Sequence, residues 1–127
     1  MISWNYLSQF NEKNPPQETL YRKKEIQDKY ETFRDSLDIP IADYLHSTLF
    51  SDQDSRDYNF RLNDFPYNTD ETITHYILWI NPTSKSLPVK SIIQSKVKVK
   101  KFIYFMNVPK NRSVMEIPHY HIFAKGV

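Results

Sequence analysis

Residues 72–80 read TITHYILWI, a run of β-branched and aromatic residues that stops at Asn81 and Pro82. This composition predicts a β-strand, and the Asn-Pro pair predicts the turn that ends it. Two later runs have the same character, KFIYFMN at 101–107 and PHYHIFAK at 118–125. The second half of the chain is therefore predicted to form a sheet of short strands.

The segment between the first two predicted strands, residues 86–101, is compatible with two structures. Ser86 as a cap and Pro88 near the first turn favour a helix through about Gln94. The alternation in KVKVK is instead typical of a strand, and it could extend the second strand backwards. We favour a helix followed by a strand.

The first half of the chain has helical periodicity. Asn14 is a candidate N-cap, Pro15 fits the first helical position and Gln17 completes a capping box. A second, shorter helix is predicted after Pro40. The apolar positions with helical spacing are Ile26, Tyr30, Phe33 and Leu37 in the first helix, and Ile41, Leu45 and Leu49 in the second.

These elements together predict an α+β fold. Two N-terminal helices are expected to pack on one face of a small antiparallel sheet of about three to four strands, with one further short helix. A chain of 127 residues can bury its own core, so residues 1–127 are predicted to form a single domain. Residues 51–59 are predicted to be an exposed acidic loop.

Charge and composition exclude several classes of function. The chain has 17 basic and 15 acidic residues, and this balance gives no strong signal for nucleic-acid or membrane binding. Because cysteine is absent, disulfides, thiolate metal sites and thiol nucleophiles are excluded. The only glycine is Gly126, which excludes P-loop and Rossmann nucleotide binding, since both need several glycines near the phosphate.

Targeting signals are missing from the sequence as well. The start has neither a basic n-region nor an apolar h-region, and no run approaches the ~18 apolar residues of a membrane span. We expect a cytoplasmic or nuclear protein that is not secreted. Abundant Asn, Lys, Ile and Tyr beside scarce Gly and Ala hint at an A+T-rich genome, which could be viral.

Strand alternation brings three of the four histidines together. His119 and His121 lie on the same face of the last predicted strand, because side chains alternate between the faces of a sheet. In the strand at 72–80, His75 shares a face with Trp79. If the two faces coincide, all three imidazoles converge, whereas His46 on the second helix is expected to lie apart.

Three interpretations of this histidine cluster remain open. The imidazoles could hold zinc with water in the fourth position. They could instead act on a phosphoester, one imidazole serving as nucleophile or base while Arg112 and Lys110 stabilise charge on the phosphate oxygens. Alternatively, the histidines have no chemical role and are polar residues that are compatible with water on the half-exposed face of a strand. Glu116 could orient an imidazole or simply face solvent.

Other residues near the cluster have both a functional and a structural interpretation. Trp79 could stack against a base or a sugar, although a Trp on a strand is more often part of a core. Asp64 and Tyr67 could line a pocket near His75, but the same NDFPY segment is also typical of a turn.

The segments LNDFPYNTDETITHYILWINP and NRSVMEIPHYHIFAK together resemble the fungal N-acetylglucosamine-induced protein family, a domain of unknown function. The chain departs from the family pattern at Phe65, where a Trp is usual, and at Met115, where a Pro is usual. The resemblance implies no particular activity. The positions that match the pattern are Asn63, Asp64, Pro66, Tyr67, His75, Trp79, Arg112, Ser113, Glu116, His119 and His121.

A weaker similarity links RSVMEIPHYHIF to the strand motif Q-(S/T)-V-x-H-x-H-x-H of the histidine-triad nucleotide hydrolases. Ser113, Val114, His119 and His121 match the motif, while two residues are inserted and Phe123 stands at the place of the third histidine. The resemblance implies that His121 is the nucleophile and that His119 supports it.

The sequence thus predicts a small enzyme that acts on a phosphoester, a nucleotide or a nucleotide sugar, with a phosphorylated small molecule as its partner. No cofactor is predicted, and a divalent metal such as zinc on the three histidines is the second choice. The alternative is a non-catalytic binding or assembly module, so enzymatic activity itself stays open. The predicted catalytic residues are His75, Glu116, His119 and His121, and the predicted substrate-binding residues are Asp64, Tyr67, Trp79, Lys110, Arg112 and Ser113.

Overall fold

A four-stranded antiparallel sheet forms the centre of the structure, a computed structural model that describes residues 1–51, 57–84 and 86–126. Three strands coincide with the predicted ones to within two residues. The strands are β1 (Tyr58–Leu62), β2 (Ile73–Ile80), β3 (Phe102–Phe105) and β4 (His119–Lys125). Their order across the sheet is β1-β2-β4-β3.

Helices cover both faces of this sheet. One face, which we call the histidine face, carries His75, His119 and His121. Helix α3 (Ile41–Phe50) packs there through Leu49, beside Trp79. Helix α4 packs on the opposite face. The α+β fold is confirmed. The two predicted N-terminal helices correspond to α2 (Lys24–Asp35) and α3 on the histidine face, while the further short helix, α4, lies on the other face. The helices are α1 (Trp4–Leu7), α2 (Lys24–Asp35), α3 (Ile41–Phe50) and α4 (Val89–Lys96), with a 3-10 turn at Pro109–Asn111.

Helix α4 belongs to the opposite face because of its apolar side chains. Ile92 and Ile93 join Leu78 of β2 and Ile122 of β4 in one buried cluster. Both strands therefore bury side chains on both faces, which explains their nearly unbroken apolar runs. The predicted helix before the second strand is confirmed, whereas KVKVK does not extend that strand.

The first predicted helix begins later than its capping signal indicates. Residues 14–23 are not helical, and the Asn11 side chain instead accepts the backbone N–H groups of Lys13 and Asn14 in a turn. Leu20 is buried in the core with Phe123, which an extended segment can reach. Burial of Leu20 outweighs the local helix signal, as tertiary packing often outweighs propensity.

Strand β1 is not among the strands that the sequence predicts. It pairs with β2 over its whole length, at the edge of the sheet. Its sequence, YNFRL, alternates apolar and polar residues, and this is the signal that could have revealed it. Residues 52–56 of the predicted acidic loop lie outside the described residues. No helix in the described part of the chain is long and apolar enough to cross a membrane.

Candidate functional site

A cavity of about 340 Å³ lies on the histidine face, between the sheet and helices α2 and α3. We call it the sheet–helix cavity. Its aromatic walls come from Tyr30 and Phe33 of α2 together with Phe65 and Trp79. The Phe65 ring packs edge-on against Tyr30, with 5.3 Å between ring centres, so the segment after β1 closes over the cavity.

The three predicted histidines do converge, but two of them form a sealed pair. His75 Nε2 lies 2.9 Å from His121 Nδ1. The other nitrogen of His75, Nδ1, accepts the backbone N–H of Tyr67 at 3.2 Å. The other nitrogen of His121, Nε2, lies 3.3 Å from the side-chain amide of Asn107. Both nitrogens of each ring are therefore engaged.

The backbone fixes the direction of the hydrogen bonds through this pair. Because the Tyr67 N–H can only donate, His75 Nδ1 holds a lone pair and the proton of the neutral ring sits on Nε2. That proton is donated to His121 Nδ1, which leaves the proton of His121 on Nε2, facing Asn107. The two ends of an amide have the same shape, and an amide oxygen turned toward His121 would accept this proton.

Burial keeps both rings of the pair neutral. His75 is 4% exposed and His121 is 3% exposed. Burial, with a smaller contribution from the charge of Arg22, lowers the pKa of His75 from 6.5 to about 3. Burial and the neighbouring imidazoles also hold the pKa of His121 well below 6.5. The pair is thus a neutral structural contact between β2 and β4 at pH 7.

His119 differs from the pair because one of its ring nitrogens reaches the cavity. Its Nδ1–H donates to the carbonyl oxygen of Ile117 at 2.8 Å, so the lone pair of the neutral ring lies on Nε2. Among the described residues, every buried side-chain nitrogen or oxygen has a hydrogen-bond partner. Within the part of the chain that the structure describes, Nε2 has no hydrogen-bond partner, and since His119 lines the cavity, we infer that this nitrogen faces the cavity space.

The surroundings of His119 hold its ring in place and favour the neutral form. The ring packs against Trp79, with 4.6 Å between ring centres. Burial lowers the pKa of His119, the bond to Ile117 opposes this shift, and the charge of Arg112 adds to the lowering. The ring is therefore an unprotonated base at pH 7.

Arg22 is a cavity residue that sequence reasoning missed. Its Nε–H donates to the carbonyl oxygen of Phe65 at 2.7 Å, and its Nη1–H donates to Gln27 Oε1 at 3.1 Å. Its guanidinium carbon lies 4.8 Å from the centre of the Tyr30 ring and 5.3 Å from that of Tyr67. No pattern around Arg22 marks it, because its position depends on long-range packing.

Arg61 is the second arginine at the cavity. It is an exposed residue of β1 that lies opposite Ile77 of β2, on the histidine face. No carboxylate among the described residues forms a salt bridge with Arg61 or Arg22. Asp64 is the acidic residue at the cavity wall. The described lining therefore has an excess of positive charge.

Three predicted substrate-binding residues line the cavity and three do not. Asp64, Trp79 and Ser113 are part of its wall. Tyr67 is buried behind the wall, where its ring stacks on His121 with 5.2 Å between ring centres. The two predicted cationic residues, Lys110 and Arg112, lie outside the cavity lining.

Arg112 and Glu116 make contacts other than the ones that their predicted roles require. The Nε–H of Arg112 donates to the carbonyl oxygen of Asn107 at 2.7 Å, which ties the 3-10 turn to the end of β3. Glu116 is exposed, and the Nδ1–H of His119 is bonded to the Ile117 carbonyl rather than to this carboxylate. His46 lies apart on α3, as expected, and is exposed.

The second-choice zinc site is not supported by the arrangement of the histidines. A zinc ligand must direct an imidazole lone pair at the metal, whereas His75 Nε2 and His121 Nδ1 are directed at each other in a hydrogen bond of 2.9 Å. Among the described residues, no group of three or more His, Cys, Asp or Glu side chains could hold a metal ion.

The fold and the site define an α+β domain with helices on both faces of an antiparallel sheet and a cavity beside a histidine cluster. The chain belongs to the family described as "Protein of unknown function (DUF3605)", whose model matches residues 3–90. The match includes Arg22 and His75 but ends before β4. A search of the curated proteins finds no match.

One solved structure supports the same fold. The chain is similar to the crystal structure of HTC1, with a TM-score of 0.63 and 19% sequence identity over 100% of this chain and 86% of that chain. At this identity the likeness concerns the fold alone. The resemblances to the N-acetylglucosamine-induced proteins and to the histidine-triad hydrolases stay predictions.

Proposed function

We propose that this protein binds a small phosphorylated molecule with a flat, apolar part in the sheet–helix cavity. The observation that carries the proposal is an aromatic cavity whose lining includes two arginines without a carboxylate partner among the described residues. Ligand pockets typically measure about 300–1,000 Å³ and combine apolar walls with a few polar groups. The cavity has this size and this lining.

The apolar part of the ligand is expected to lie between the aromatic side chains. Phe33 and Phe65 pack against each other, with 5.6 Å between ring centres, and they line one side of the cavity. Trp79 and Ile77 line the sheet side. A flat ring between two such surfaces exchanges water for apolar contact, which favours binding.

The anionic part of the ligand is expected to bind at Arg22. Two of its nitrogens are held by Phe65 and Gln27, and its guanidinium is stacked on aromatic rings, so the group is already ordered. An ordered guanidinium loses little conformational entropy when it binds an oxyanion. Because Arg61 adds a second positive charge, a phosphate dianion suits the cavity better than a carboxylate.

Titration of phenylphosphonate by isothermal calorimetry tests the proposal directly, because this molecule carries a flat ring and a phosphonate dianion. We expect saturable binding to the wild type, and weaker binding of benzoate. The variant Arg22→Gln should weaken phenylphosphonate binding about tenfold or more, since hydrogen bonds to charged groups contribute about 1.5–3 kcal/mol.

The control is Lys110→Gln, which removes one positive charge outside the cavity lining and should leave the affinity nearly unchanged. Absence of saturable binding to the wild type would contradict the proposal. Equal affinities of wild type and Arg22→Gln for phenylphosphonate would show that Arg22 does not contribute to binding. The cavity beside His119 favours a small molecule over the alternative of a module that only contacts protein partners.

A further inference from the structure

The reactive group in the cavity is determined by what each imidazole nitrogen already binds. His75 and His121 use all four of their ring nitrogens in contacts within the protein. His119 uses one nitrogen, and its other nitrogen meets the cavity. Of the three clustered histidines, His119 is therefore the one that can accept a proton from a bound molecule.

The tautomer of His119 is already set for this role. A carbonyl oxygen can only accept a hydrogen bond, so the contact with Ile117 keeps the proton on Nδ1 and the lone pair on Nε2. The packing against Trp79 limits rotation of the ring. A base that is held in one orientation, with its lone pair directed into a cavity, meets the geometric requirement for general-base catalysis.

We infer that His119 Nε2 is the general base for hydrolysis of a phosphate ester bound in the sheet–helix cavity. This inference rests on the proposed function, since the phosphate must first bind near the arginines. Nε2 takes a proton from a water molecule as the water oxygen bonds to phosphorus. The bond from phosphorus to the ester oxygen breaks, the leaving alcohol receives the proton from His119, and the products are the alcohol and phosphate.

This assignment differs from the role that the histidine-triad resemblance implies. That resemblance makes His121 the nucleophile. His121 also lines the cavity, but its two ring nitrogens are engaged by His75 and Asn107. The positive charges of Arg22 and Arg61 would stabilise the charge that develops on the phosphate oxygens.

The test uses phenyl phosphate as the substrate and phenylphosphonate as its non-hydrolysable counterpart. We expect the wild type to release phenol, and His119→Gln to lower kcat about 100-fold or more, the usual contribution of a general base. Phenylphosphonate should bind both proteins with similar affinity. His46→Gln is the control and should retain wild-type kcat, since His46 is exposed and outside the cavity lining.

The pH profile separates a base from a structural residue. In the wild type, kcat should rise with pH as His119 loses its proton and then become level, and His119→Gln should lack this rise. Binding of phenylphosphonate without phenol release by the wild type would overturn the inference and leave the proposed function intact. Absence of binding would overturn both.

A chemical measurement on the wild type covers the case in which His119→Gln does not fold. Diethyl pyrocarbonate modifies accessible unprotonated imidazoles, so we expect reaction at His119 and at the exposed His46, and none at His75 or His121 in the folded protein. Phenylphosphonate should protect His119 alone. Modification of His121 before His119 would contradict the assignment.

Discussion

His119 and His121 lie two residues apart on the same face of β4, and they are buried to a similar degree, with 2% and 3% of each residue exposed. Their surroundings nevertheless give them different chemistry. His121 bonds to His75 and to Asn107, while His119 has one nitrogen free to meet the cavity. Burial alone therefore does not separate a structural imidazole from a reactive one. The two kinds of imidazole are distinguished by the hydrogen-bond partner of each ring nitrogen.

Sheet register explains the difference. His121 lies directly opposite Ile77, and His75 lies diagonally across from it on β2, close enough for the two rings to meet. His119 lies opposite Trp79, at the beginning of β4. Its ring packs against the Trp79 ring, with 4.6 Å between ring centres, rather than against another imidazole of β2.

The largest expected effect comes from breaking the sealed pair. His75→Leu would leave the Tyr67 N–H and His121 Nδ1 without partners, and each unsatisfied buried group costs about 1–3 kcal/mol. We expect the free energy of unfolding to fall by about 2–6 kcal/mol, measured by urea denaturation. His119→Gln should cost clearly less. A smaller loss for His75→Leu than for His119→Gln would contradict the comparison.

Acid should weaken the same pair without any substitution. The folded pKa values of His75 and His121 lie below 6.5, so the unfolded chain binds more protons as the pH falls. The stabilisation is therefore complete above pH 6.5 and decreases below it, by about 1.4 kcal/mol per pH unit for each histidine that is kept neutral. The lowered pKa of His119 adds a contribution of the same sign.

Urea denaturation between pH 6.5 and pH 4.5 measures this loss above the range in which most carboxylates titrate. A free energy of unfolding that stays constant over this interval would show that the pair accepts protons in the folded state.

Parts of this comparison could be foreseen from the sequence and parts could not. The run at 72–80 and the PHYHIF segment indicated two strands, and alternation placed three histidines on one face. The pairing of His75 with His121 depends on the register between β2 and β4, which no local pattern encodes. The position of Arg22 depends in addition on the extended segment that carries Leu20 into the core.

The smallest expected effect concerns the Tyr67 hydroxyl, which lies 3.0 Å from the same side-chain amide atom of Asn107 that faces His121. Tyr67→Phe keeps the ring that stacks on His121 and removes one hydrogen bond, so we expect a loss of about 0.5–1.5 kcal/mol in the free energy of unfolding. Tyr6→Phe, at an exposed position, is the matched control and should change little. If Tyr67→Phe lowered the free energy of unfolding as much as His75→Leu does, the hydroxyl would contribute as much to stability as the imidazole pair, which would contradict this ranking.

The tautomers of the histidines test the central claim most directly. A two-bond ¹H–¹⁵N correlation spectrum at pH 7 distinguishes a proton on Nδ1 from a proton on Nε2 for each ring. The structure predicts three neutral rings, with the proton on Nε2 in His75 and His121 and on Nδ1 in His119. A charged His119, or a His119 with its proton on Nε2, would contradict the account.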